Sequence, residues 1–284
     1  GCSFEKCLFK ANKVYSILSI SSVATLAGTT FMGNSIGIDG RKSNISIMDC
    51  KASSNELVYS LTDCKTVIEN NEVTQNTNCI VITDGSCDIQ NTRIIQNNGY
   101  GIFASSGAQL QCTNLTVDSN KQIAVVVRES GTKCTITNSS FNENEICFYV
   151  AEESLCTASK CKVTKGKLQL DVAGAVFNGQ GDEFIGATAE SAIHVHDGAT
   201  ANLDKCTIRD SQETGITSSA NLTLTHSQLF NCKKLGAFIT GDATGKIQES
   251  VIQSNGDCGI YFQSGSCGCL FNRITGHKIS GIRI

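Results

Sequence analysis

The stretch Asn97-Asn98-Gly99-Tyr100-Gly101-Ile102-Phe103-Ala104-Ser105-Ser106-Gly107 reads as an Asn/Gly turn, a short strand and a second turn. Apolar residues matching Ile102 recur at Ile36, Leu57, Ile80, Val125, Phe148, Leu170, Ile193, Ile216, Phe238, Ile260 and Ile282. Ile36 to Ile282 is 246 residues in 11 steps, about 22.4 per step, and Val14 extends the column toward the N-terminus. A fixed period in the twenties marks a solenoid, in which each repeat buries its apolar face only against its neighbours.

Each repeat holds three short apolar segments. In one they are Cys87-Asp88-Ile89, Arg93-Ile94-Ile95 and Gly101-Ile102-Phe103-Ala104; in another, Cys134-Thr135-Ile136, Ser140-Phe141 and Ile146-Cys147-Phe148-Tyr149-Val150. Segments of two to five residues are too short for helices, and their β-branched content favours strands. Three strands in about 22 residues predict an all-β fold: a single-stranded, right-handed parallel β-helix of about 13 coils, each strand pairing with its equivalents about 4.8 Å above and below. The whole chain, 1–284, reads as one such domain, and its mid-repeat stop at Ile284 without an initial Met reads as a fragment of a longer chain. Val14 to Ala27 falls on the repeat and reads as coil rather than as a leader.

A second signature is an apolar residue followed three later by Asn: Phe31/Asn34, Val73/Asn76, Ile94/Asn97, Val117/Asn120, Phe141/Asn144 and Ile252/Asn255. Stacked one per coil, the amides of Asn76, Asn97, Asn120 and Asn144 would form a ladder that satisfies backbone groups at a bend. Asn also tolerates the left-handed conformation that a sharp bend requires. Asn91, Asn114, Asn138 and Asn272 read as a similar column after the first strand.

Composition bounds the function classes. A net charge of −3 gives no electrostatic footprint for nucleic acid or an anionic membrane. No apolar run is long enough for a membrane span. Proline, which would remove ladder donors from strands paired on both sides, is absent. Of 16 cysteines, Cys64, Cys87, Cys134 and Cys156 share a repeat position and alternate with inward apolar residues, so they read as free, core-filling thiols. That points to a reducing, intracellular setting. Four Asn-X-Ser/Thr sequons, at Asn44, Asn114, Asn138 and Asn221, keep a secreted or cell-surface chain as the alternative.

The Asn…Gly-Ile repeat resembles the right-handed β-helix families of pectate-lyase-like topology, including carbohydrate-binding and sugar-hydrolase repeats. The units Phe31-Met32-Gly33-Asn34 and Phe141-Asn142-Glu143-Asn144 also look like those of chlamydial polymorphic outer-membrane proteins. The pectate-lyase-like resemblance implies a substrate groove on the outer face of one sheet. A polygalacturonase-like site would need clustered aspartates with Gly-His-Gly and Arg-x-Lys; this chain offers Gly276-His277-Lys278 and Gly281-Ile282-Arg283-Ile284 and no Asp-Asp pair. A pectate-lyase-like site would need several carboxylates around calcium and an arginine base.

Outward positions follow the repeat column. They include an apolar stripe from Val58 through Val81, Phe103 and Val126 to Tyr149, flanked by small residues at the position before the column, such as Gly101 and Ala124. Such a stripe is a candidate docking surface for a protein or glycan. Beyond it the face turns polar at Asp171, His194 and His196. A His-x-His pair with a carboxylate one coil away can bind a divalent metal or move a proton, and the same three side chains also fit a solvated face. The expectation from sequence is a non-enzymatic binding or scaffolding surface, with no cofactor implied and a protein partner or larger assembly. A polysaccharide-active enzyme or sugar-binding module using the outer groove is the alternative.

Overall fold

The computed structural model describes all 284 residues. Every regular element is a β-strand, and pairing is parallel between equivalent positions one coil apart. The fold is a right-handed β-helix of about 13 coils, with no helix long and apolar enough to cross a membrane. Two compact units divide the chain, Gly1–Asn144 and Glu145–Ile284.

In the first unit the inward column is Ile17, Ile38, Tyr59, Ile80, Ile102 and Val125. In the second it is Phe148, Leu170, Ile193, Ile216, Ala237, Ile260 and Ile282. The middle segments form their own stack, with Phe31, Ala52, Val73, Ile94, Val117 and Phe141 buried at successive levels of the first unit. Each large apolar side chain so buried contributes roughly 1.5–3 kcal/mol. The parallel ladder fixes which ones meet.

The register corrects the sequence column at both ends. The steps from Ile38 to Tyr59 and from Tyr59 to Ile80 are 21 residues, so Ile36 and Leu57 fall two residues early, half-buried at the strand entrance. Val14 is 58% exposed, and Ile17 takes its expected place. Ala237, not Phe238, faces the core. Two strands, Leu57–Glu69 and Asn78–Gln90, run through what the sequence divides into two strands and a turn. Cys64 therefore pairs with Gly85 while Thr66 pairs with Cys87, so Cys64 is buried but leaves the Cys87–Leu110–Cys134 level. No disulfide joins any of the 16 cysteines.

The position before the column is buried as well, at Gly37, Val58, Cys79, Gly101 and Ala124 in the first unit. The chain is still bending as it enters the strand, so two successive residues face inward. A Cβ on Gly101 would lie 2.6 Å from the Ala124 carbonyl oxygen, which explains the small residues there. They are packing residues, not part of an outer groove.

The bend itself is built by asparagine. Asn120 Oδ1 accepts from both the backbone N–H of Asn97 (3.0 Å) and its Nδ2 (2.9 Å), while Asn120 Nδ2 donates to Asn144 Oδ1 (2.9 Å) and to the Ile94 carbonyl (3.2 Å). The same pattern joins Asn34 to Asn55, Asn55 to Asn76 and Asn76 to Asn97. Positive φ falls on the residue before each of these, at Gln75, Gln96, Ser119 and Glu143, rather than on the asparagine. At the other corner Asn91, Asn114 and Asn138 do take positive φ, but there Phe271 holds the left-handed position and Asn272 the inward one after it.

Candidate functional site

Side chains that leave the outer face follow the inward column by one residue. In the first unit the outer row is Leu18, Asp39, Ser60, Val81, Phe103 and Val126. Val58 is buried in the core and Val126 is only 2% exposed. The apolar stripe in this unit therefore shrinks to half-buried Val81 and Phe103, with the Tyr100 ring 5.4 Å from that of Phe103.

Sequence reasoning missed Asp39, because the two-residue slip put Gly37 in its place. Its carboxylate accepts from Arg41 Nε (3.2 Å) and Nη2 (2.6 Å), a bidentate pair at the floor of a groove of about 780 Å³ that Tyr15, Ser60, Thr62 and Asp63 also line. The signal available in sequence was Asp39-x-Arg41 on one strand face. The pair satisfies itself, so it shapes the groove rather than offering a free charge.

The second unit carries a different row, Tyr149, Asp171, His194, Thr217, Phe238, Tyr261 and Arg283, one per coil. All but exposed Arg283 are half-buried. The Phe238 and Tyr261 ring centroids are 5.3 Å apart, and the Arg283 guanidinium lies 4.8 Å over the Tyr261 ring. Tyr149 thus heads a row of aromatic and polar side chains.

At the centre of this row the structure brings together Asp171, His194 and His196. The histidines flank inward Val195 on strand Ser191–His196, so both rings leave one face and stack at 4.3 Å. Asp171 lies one coil away, directly paired with His194. Its Oδ1 is 2.9 Å from His196 Nε2 and 3.6 Å from His194 Nδ1. His196 Nδ1 meets Asp197 Oδ2 at 2.8 Å. Burial, and then the neighbouring His196, push the His194 pKa below the ordinary imidazole value. A depression of about 270 Å³ beside His194 is lined by Leu168, Ala189, Glu190, Ser191 and Thr217.

His277 and Arg283, the fragments that resemble a polygalacturonase motif, do not converge with Asp171. His277 continues the asparagine column, its Nδ1 accepting from the Asn255 N–H at 3.2 Å. A second histidine, His226, bridges Asp204 (2.7 Å) and Glu249 (2.9 Å) at an exposed corner.

A family model described as a right handed beta helix region matches residues 1–141 and 123–275. No curated protein matches the chain. Two solved structures share the fold. One is the catalytic unit of a thermostable GH87 alpha-1,3-glucanase from Streptomyces thermodiastaticus, at TM-score 0.60 and 11% identity, covering 86% of this chain and 61% of that one. The other is the A-module of the Azotobacter vinelandii mannuronan C-5 epimerase AlgE4, at TM-score 0.51 and 13% identity, covering 98% of this chain and 88% of that one. The chain thus spans about three-fifths of the glucanase catalytic unit.

Proposed function

We propose that this chain, which belongs to the right-handed β-helix family, holds a polysaccharide lengthwise along the outer face of its Glu145–Ile284 unit and acts on it at the Asp171–His194–His196 cluster. The observation that carries this reading is the row Tyr149, Asp171, His194, Thr217, Phe238, Tyr261, Arg283, set one residue per coil by the parallel register. The half-buried aromatic side chains of Tyr149, Phe238 and Tyr261 offer apolar surface to sugar rings along this face. Asp171 and Arg283 supply the hydrogen-bonding charges that fix orientation. Strand spacing of about 4.8 Å repeats these contacts along a chain-shaped ligand. At about 270 Å³ the depression beside His194 is smaller than the pockets that bury whole small molecules, so an extended ligand fits this face better. The glucanase and the epimerase are polysaccharide-active enzymes on the same fold, which supports the substrate class but names no substrate here.

The test is retardation of the chain in native gels cast with α-1,3-glucan, mannuronan, polygalacturonate and other polysaccharides, followed by product sizing. At least one polymer should retard it, and the paired change Phe238→Ala, Tyr261→Ala should weaken retardation about tenfold or more. No retardation by any polymer, or retardation unaffected by the paired change, would overturn the reading.

A further inference from the structure

Asp171, His194 and His196 have the donor set, spacing and outer support of a transition-metal site. Tetrahedral zinc with metal–ligand bonds near 2.0–2.1 Å places its ligand atoms roughly 3.3 Å from one another. Asp171 Oδ1 stands 2.9 Å from His196 Nε2 and 3.6 Å from His194 Nδ1, and the three residues offer ligand atoms all within 4.8 Å of each other. Asp171 Oδ1 therefore already stands near tetrahedral spacing from each imidazole, and an ion among the three would draw the two histidine nitrogens toward each other. The histidines come from one strand and the carboxylate from its parallel neighbour, so backbone pairing sets the spacing without any loop closing over the ion.

The surroundings match what a ligating imidazole needs. His196 Nδ1 faces Asp197 Oδ2 at 2.8 Å. With that nitrogen donating its proton to Asp197, the Nε2 lone pair is directed at the cluster, the carboxylate–histidine arrangement that orients zinc ligands. Asp197 is held for this by a left-handed backbone, φ 53°, just after the strand. Two imidazoles and one carboxylate select a borderline ion such as zinc, cobalt or nickel over calcium or magnesium, which take six or more oxygen ligands.

We propose that these three side chains bind one divalent transition-metal ion of the zinc type. Three protein ligands leave a fourth position open, as in catalytic rather than structural zinc sites. His194 itself lines the depression that Leu168, Glu190, Ser191 and Thr217 share, so an oxygen ligand resting there would lie next to the ion's ligand shell. The assignment stands whether or not a polysaccharide binds, and its test uses no polysaccharide.

The experiment is calorimetric titration of the full chain, kept reduced, with zinc, cobalt, calcium and magnesium chlorides. Zinc and cobalt should each bind at one ion per chain, and calcium and magnesium at least 100-fold more weakly. Bound cobalt should show visible d–d bands without the near-ultraviolet charge transfer of a thiolate ligand, which separates this site from any held by the cysteines of this chain. His194→Ala and His196→Ala should each weaken zinc at least 100-fold, and Asp197→Asn 10- to 100-fold. All three side chains lie on the outer face, so circular dichroism should be unchanged. The paired change Cys267→Ser, Cys269→Ser should leave affinity as it was. The inference is overturned if neither zinc nor cobalt binds stoichiometrically, if cobalt shows thiolate charge transfer, or if binding survives both histidine changes.

Discussion

Asp182 allows a quantitative test of how this fold handles charge. Its side chain is 1% exposed, at a corner between Cys161 and Cys206. Oδ1 accepts from the Cys161 N–H at 2.7 Å and Oδ2 from the Gln180 N–H at 3.1 Å. These bonds favour the ionised form, but burial outweighs them and raises the pKa from 3.8 to about 6. Two units correspond to about 3 kcal/mol. Because the folded-state value is the higher one, the native chain binds more protons than the unfolded chain between about pH 4 and 6. This contribution to stability is therefore full below pH 4, declines as pH rises through 6, and leaves a penalty of about 3 kcal/mol at pH 7. Asparagine occupies the same column elsewhere and fits it. Asn71 Oδ1 accepts from the Cys50 N–H while Nδ2 donates to the Ile47 carbonyl, and Asn272 does the same with Ser250 and Ile247. Asp182→Asn keeps the Cys161 bond and gives up the Gln180 bond, worth about 1 kcal/mol. The net gain at pH 7 should be about 2 kcal/mol, a rise in melting temperature of roughly 3 °C. Urea denaturation of both proteins from pH 4 to 8 reads this directly, with the curves close at pH 4 and separating by pH 7. Equal slopes between pH 4 and 6, or a variant less stable at pH 7, would refute the reasoning.

Asn120→Leu should cost roughly 1–3 kcal/mol, since it strands the Asn97 N–H and the Ile94 carbonyl at the bend; an unchanged denaturation midpoint would mean that the ladder carries no stability. The Tyr59 hydroxyl is fully buried with no hydrogen-bond partner. Tyr59→Phe should therefore stabilise the chain by about 1 kcal/mol in the same assay, and a loss of stability would show that the hydroxyl is satisfied in solution. His226 is bonded to Asp204 and then drawn further by Glu249, so its imidazole should titrate above the ordinary value in an NMR pH series. Its stabilising interaction is fully present below the ordinary imidazole value and is lost as pH rises through the raised one. Asp204→Asn should bring the titration down, and no change would exclude the pair.

The repeat made the architecture readable because one apolar side chain per coil must face inward, so the period survives in sequence even where no motif does. Register was harder to read. Coils of 21 residues at Tyr59 and Ile80 sit beside longer ones, and Ile36 and Leu57, half-buried where the chain enters a strand, imitate true column residues. A slip of two keeps the inward and outward alternation, so nothing in the local pattern exposes it. Its effect was to hide Asp39 and to assign Val58 to the outer face. The Asp171, His194 and His196 cluster needed only the correct local register and the His-x-His spacing, and both were present. Asp197 was visible as the acidic residue after the pair; what sequence could not supply was its contact with His196, which depends on a left-handed turn that the residues alone do not announce.

Twelve of the sixteen thiols are buried, distributed through both units. Burial pushes those of Cys206 and Cys232 up to about 12, so neither offers a thiolate to a reagent while its coil is closed. Alkylation of each buried cysteine then times the opening of the coil that holds it. In an array whose repeats are stabilised only by their neighbours, opening free energies differ from place to place. Mass spectrometry of a timed iodoacetamide reaction would turn the native cysteines into a residue-resolved chart of where the chain breathes, with no label introduced.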